Sequence, residues 1–138
     1  MIVFVNHDGS IALQSVSTIN QGSVDANKIT IVHPFSTAIV RLAFTLPNGI
    51  VLEEPKIASD STSIPIDEYK GLSVSEYTFD RELTRVSGTL GVQIFFTYID
   101  PTDKAEKRTV TIATPLINIP INNGSRVILD NAVEDGTP

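Results

Sequence analysis

A chain of 138 residues with 41% hydrophobic and 19% charged side chains is one domain able to build its own core, and this balance argues against intrinsic disorder. Cysteine is absent, which excludes a disulfide framework, a thiolate metal site and a thiol nucleophile. The formal net charge of −6 argues against nucleic-acid binding, since phosphate contacts need clustered cations.

The one basic cluster, Lys104, Lys107 and Arg108, is offset by Asp100, Asp103 and Glu106 and reads as a solvated turn. Met1 to Val5 is apolar, but too short for a signal-peptide core and without a basic leader. No run reaches the length of a membrane helix. The expectation is a soluble chain that is not exported by the usual route.

Ile2 to Val5 predicts a short first strand, ended by a turn at Asn6-His7-Asp8-Gly9. Ile11, Leu13 and Ile19 are expected to pair back against it. Lys28 to His33 alternates as a strand and is cut by Pro34, which cannot donate to a ladder. In the next strand Ala38, Val40, Leu42, Phe44 and Leu46 share one face, and Thr37, Arg41 and Thr45 the other. Pro47-Asn48-Gly49 then predicts a hairpin turn returning through Ile50-Val51-Leu52. Ile57 to Glu68 reads as a polar surface excursion.

Leu72 to Phe79 predicts another strand, and Asp80 to Thr84 one helical turn acting as a corner. Val86 to Tyr98 is the longest alternating stretch. Val86, Leu90, Val92, Ile94, Phe96 and Tyr98 share one parity, and Ser87, Thr89, Gln93 and Thr97 the other. This strand is expected at the centre of a sheet, with Gly88 and Gly91 marking a bulge or a close backbone approach. Thr109 to Ile121 returns along it. Its apolar set moves from Val110 and Ile112 to Ile117, Ile119 and Ile121 across Pro115. That change of parity predicts a bulged strand that either crosses between sheets or runs along an edge. Arg126 to Leu129 reads as a last strand or spacer, and 130–138 as a polar, linker-like tail. The domain is placed at 1–129, with 2–19 as a possible N-terminal arm. Strands separated by turn signals, with no amphipathic helix, predict an all-β, antiparallel β-sandwich.

Five features, in order, resemble the N-terminal domain of the baseplate upper protein family of tailed phages infecting Gram-positive bacteria. They are Val24-Asp-Ala-Asn-Lys-Ile29, the strand Ala38 to Leu46 with its Pro-Asn-Gly hairpin, Glu76-Tyr-Thr-Phe79 with its short turn, Val86-Ser-Gly88 leading into the long strand, and the return from Thr109 to Ile119. The resemblance covers most of the chain, through loose patterns of alternation and turns. It implies an Ig-like β-sandwich that anchors a receptor-binding or adhesion apparatus to the tail hub. It also implies oligomerisation about the tail axis, and a place in the virion after assembly in the host cytoplasm. Met1 to Ile19 is the part least readily matched to the family.

No catalytic motif, cofactor site or metal site is expected. His7, Asp8 and His33 are remote in sequence and meet only if folding brings them together. Glu53, Glu54, Asp67 and Glu68 read as solvated carboxylates rather than a hydrolytic pair. Asp100 and Asp103 lack the rest of a calcium loop, and no Gly-x-Ser-x-Gly elbow or phosphate-binding loop is present. The informative residues break the apolar/polar alternation: Ile39, Phe95 and Ile99 sit on polar parities, and Phe35 follows Pro34 in a loop. Each is expected either under a second layer or in an apolar patch where a protein docks. A carbohydrate-binding or host-adhesion sandwich is the alternative reading, and a hydrolase using Glu53, Asp67 or Glu68 a weaker third.

Overall fold

The computed structural model describes residues 1–52, 54–60, 72–100 and 108–123. They form two mixed sheets, one of them curled as a half-barrel. The first sheet has the order β2-β1-β4-β8-β7, with β1 Ile2–Val5, β2 Ile11–Ser15, β4 Lys28–His33, β7 Ser59–Asp60 and β8 Ser73–Thr78. The second has the order β3-β11-β9-β5-β6, with β10 alongside β9. Its strands are β3 Ile19–Asn20, β5 Ile39–Thr45, β6 Lys56–Ile57, β9 Gly88–Ile99, β10 Thr109–Ala113 and β11 Ile117–Asn122.

The long strand is the organising element, as its pattern predicts. One edge of β9 pairs with β5, and the other pairs with β10 and β11 in succession. Its inward row, Leu90, Val92, Ile94 and Phe96, is fully buried. Burial of this kind contributes about 1.5–3 kcal/mol per large apolar side chain. The row meets Val3, Val5, Ile29 and Ile31 of the opposite sheet in one core.

The two sheets are not purely antiparallel. β1 runs parallel to β4, and β3 parallel to β11. Ile19 therefore joins the second sheet instead of folding back on the first strand, while β2 does pair with β1. Ile57 is likewise not in an irregular loop. It ends β6 on the second sheet, and two residues later the chain is in β7 on the first. Only Ala58 lies between, its N–H donating to the Val40 carbonyl. The chain changes sheets here, whereas on both sides of Pro115 it stays in the second sheet. The hairpin after β5 forms as expected, with Thr45 opposite Val51 and the Gly49 N–H bonded to the Leu46 carbonyl. The corner is α1, Arg81–Thr84, capped by the Asp80 carboxylate on the Leu83 N–H. Val86 lies outside the strand, which begins at Gly88. Glu53, Asp67, Glu68, Asp103, Arg126 to Leu129 and the 130–138 tail lie outside the described residues.

The parity change at Pro115 is a bulge. Ala113 faces Phe95 and Ile117 faces Val92, so the three residues 114–116 oppose the two residues 93–94. Thr114 holds it together. Its N–H donates to the Ile94 carbonyl, and its Oγ1 accepts from the Ile94 N–H at 3.0 Å and donates to the Pro115 carbonyl. Gln93 Nε2 adds a bond to the Thr114 carbonyl at 3.0 Å. Thr114→Val keeps the shape but strands the Ile94 N–H in the interior. A loss of about 1–3 kcal/mol is expected in urea unfolding, with Thr114→Ser close to the parent.

Candidate functional site

Directly opposed residues on paired strands share a face, so the registers define the outer surface of the second sheet. Ile39 faces Thr97, which is flanked along β9 by Phe95 and Ile99. Ile39 and Ile99 are 49% and 59% exposed, and Phe95 is half-buried. Three of the four residues singled out by broken alternation therefore lie together on one face. Phe35 does not join them. It is 8% exposed and belongs to the core, so it offers no exposed docking surface.

The same face carries apolar residues that the sequence pattern does not reveal. Ile57 faces Arg41 across the β5–β6 pair, and Val51 faces Thr45; they are 65% and 61% exposed. Leu116 beside the bulge is 59% exposed and lies against Gly91. Polar groups share the face: the registers also put Gln93, Thr45, Thr109 and Asn118 on it. Arg41 Nη1 donates to Thr97 Oγ1 at 3.4 Å, and Thr97 and Thr111 share a hydroxyl contact of 3.2 Å. The result is a mixed sheet face on which exposed apolar side chains are interleaved with a guanidinium, amides and hydroxyls.

A second feature lies where β4 and β9 end and the β1–β2 turn approaches them. Phe35 packs on Phe96 at a ring-centroid distance of 4.8 Å and stacks on Tyr98 at 5.6 Å with 20° between the planes. His33 fixes this ring from below. Its Nδ1 accepts the Phe35 N–H at 3.2 Å, so the proton resides on Nε2, which contacts Ser75 Oγ at 3.1 Å. Burial lowers the His33 pKa to about 4, against an opposing pull from the Asp60 carboxylate. Above the Phe35–Tyr98 pair opens a cleft of about 430 Å³. His7, Ser36, Thr37 and Asp100 supply its polar lining, and Pro34 and Ile99 complete the apolar side.

His7, Asp8 and His33 do not assemble as ligands. Asp8 closes its own turn on the Ser10 N–H and hydroxyl at 2.9 and 2.6 Å, and these bonds lower its pKa. His7 meets the Phe35 ring edge-on, whereas His33 is committed to Ser75 and Phe35. Among the described residues no three His, Cys, Asp or Glu side chains converge. No helix among the described residues is long and apolar enough to cross a membrane. No protein-family model matches this chain, and no curated protein is significantly similar to it.

Proposed function

We propose that this chain is a non-catalytic assembly module, an Ig-like β-sandwich of a phage tail or baseplate that anchors a receptor-binding or adhesion apparatus to the tail hub. The observation that supports a docking role is the outer face of the second sheet. Ile39, Val51, Ile57, Ile99 and Leu116 are exposed there around a half-buried Phe95. Apolar residues gathered on one solvent-facing sheet surface are what a protein interface desolvates. The order of strands and turns resembling the baseplate upper protein family supplies the phage setting. On this reading the partners are hub and baseplate proteins together with further copies of the chain. The module works in the virion, with no cofactor and no nucleic-acid or membrane contact of its own.

Light scattering of the chain, alone and mixed with the tail hub protein of the same phage, tests the proposal. Self-assembly or a stable complex is expected. Ile39→Lys combined with Ile57→Lys is expected to weaken it by at least about tenfold, since buried charge at an interface centre costs more than 1 kcal/mol. A strict monomer that ignores the hub overturns the assembly role, and a complex indifferent to both lysines removes this face from it.

A further inference from the structure

We infer that the outer edge of β10 pairs antiparallel with β10 of a second copy of this chain, joining two second sheets about a twofold axis. The ladder with β9 fixes which backbone groups that edge offers. The Asp100 N–H donates to the Arg108 carbonyl, and the Thr114 N–H to the Ile94 carbonyl. Both bonds lie in the register that pairs Tyr98 with Val110 and Phe96 with Ile112. Bonded and non-bonded pairs alternate in an antiparallel ladder, so Val110 and Ile112 bond to β9, and Thr109, Thr111 and Ala113 turn their N–H and C=O outward. The β1–β2 turn stands against the Ala113 carbonyl, as the close approach of Gly9 shows. Thr109 and Thr111 remain open, with no further strand beside them among the described residues.

The strands that end the two sheets carry features that discourage strand addition. β3, β6 and β7 are two residues long, with Lys56 on β6 and Asp60 on β7. β2 is bulged, with Val5 opposite Ile11 but Phe4 opposite Leu13. Short length, charge and bulges are the usual protections of an edge. β10 has none of them: it is five residues in regular register, Thr-Val-Thr-Ile-Ala, without charge, Pro or Gly. Such an edge is a template for an added strand. The sequence selects a second copy, because the strand is its own complement. Pairing centred on Val110 sets Thr109 opposite Thr111 of the second copy at both ends, each pair exchanging two backbone hydrogen bonds. Val110 then meets Val110, and β-branched residues and threonines facing each other are favourable cross-strand pairs. Two chains of net charge −6 repel wherever acidic groups face one another, and this strand brings none together. Arg108 of each copy falls opposite Ile112 of the other, which keeps the two guanidiniums roughly 13 Å apart, beyond the screening length. The inference deepens the assembly reading by naming where copies meet, and it rests on that reading only for the claim that copies associate.

The test is amide hydrogen exchange of the whole chain, read by NMR over a concentration series, beside sedimentation equilibrium. A dimer is expected with a Kd on the order of 100 μM, as suits a small interface. Val110 and Ile112 should be protected at every concentration, whereas Thr109 and Thr111 should exchange freely when dilute and gain protection in step with the dimer. Thr111→Pro removes an outward N–H and leaves the ladder to β9 intact, a placement that edge strands tolerate. It is expected to weaken dimerisation at least about tenfold, while Thr111→Val, which keeps the N–H, should stay within about twofold of the parent. If the proline variant does not fold, the exchange pattern of the parent decides alone. A chain that stays monomeric yet binds the hub protein overturns this inference and leaves the assembly role standing. A dimer in which Thr109 and Thr111 still exchange freely also overturns it, as does protection of both at the lowest concentration, or only once the hub protein is added.

Discussion

Gly9→Ala is expected to be among the most destabilising single-methyl additions in this chain, lowering stability by about 2–5 kcal/mol. Two costs coincide. Gly9 closes the β1–β2 turn at φ +88°, where a side chain is intrinsically disfavoured. A Cβ there would also stand 2.6 Å from the Ala113 carbonyl oxygen and 2.8 Å from Ile112 Cγ2. Ala113 and Ile112 belong to β10, on the opposite sheet, so this turn is where the first sheet touches the edge of the second. The contacting oxygen belongs to the backbone and cannot swing aside as a flexible side chain would. Gly49 provides the control. It has φ +87° in the β5 hairpin, with nothing within 4 Å of an added Cβ. Gly49→Ala should therefore show the conformational cost alone, about 1 kcal/mol. Urea unfolding of the two variants side by side isolates the inter-sheet contact. Equal losses would mean that the turn does not abut β10.

The contrast between these glycines shows what the sequence can and cannot convey. Asp8-Gly9 and Asn48-Gly49 both announce turns, and both turns form. Nothing local distinguishes the one pressed against another sheet from the one in open space. The same division runs through the fold. β5, β9 and the bulge at Pro115 are legible because parity is a local property of the chain, and a slip of one residue leaves a mark in it. The parallel pairings of β1 with β4 and β3 with β11 are not. A two- or four-residue strand carries no trace of its partner, and the β6–β7 transfer between sheets turns on Ala58 alone.

The candidate surfaces divide in the same way. Ile39, Phe95 and Ile99 stand out because they break a long alternation, whereas Ile57 and Leu116 lie in segments too short to have a pattern to break. Phe35 is legible as anomalous but not as buried. Its environment comes from β9 and the β1–β2 turn, both distant in sequence, and the cleft above it is assembled from the same separated pieces.

His33 makes the second large prediction, and it concerns pH. The side chain is 2% exposed, packs against the Phe35 and Phe96 rings, and has both nitrogens engaged. The charged form is disfavoured by burial, and protonating Nδ1 would remove the acceptor of the Phe35 N–H. The folded pKa, about 4, lies below the ordinary 6.5. Between these values the unfolded chain binds more protons than the folded one, so stability falls as pH drops from about 6.5 to about 4 and levels off below. A shift of this size corresponds to about 3 kcal/mol. The Asp60 carboxylate works against it by favouring the cation, and other carboxylates titrate in the same window, so the measurement must be differential. His33→Asn is the suitable partner, because its side-chain carbonyl can accept the Phe35 N–H but carries no proton to gain. At pH 7 the variant should be less stable, having lost the ring contacts to Phe35 and Phe96. As the solution is acidified the parent should lose its advantage, and the two unfolding curves should converge by about pH 4. Curves that stay parallel from pH 7 to pH 4 would show that His33 titrates alike in both states, and that its place beneath Phe35 imposes no proton linkage.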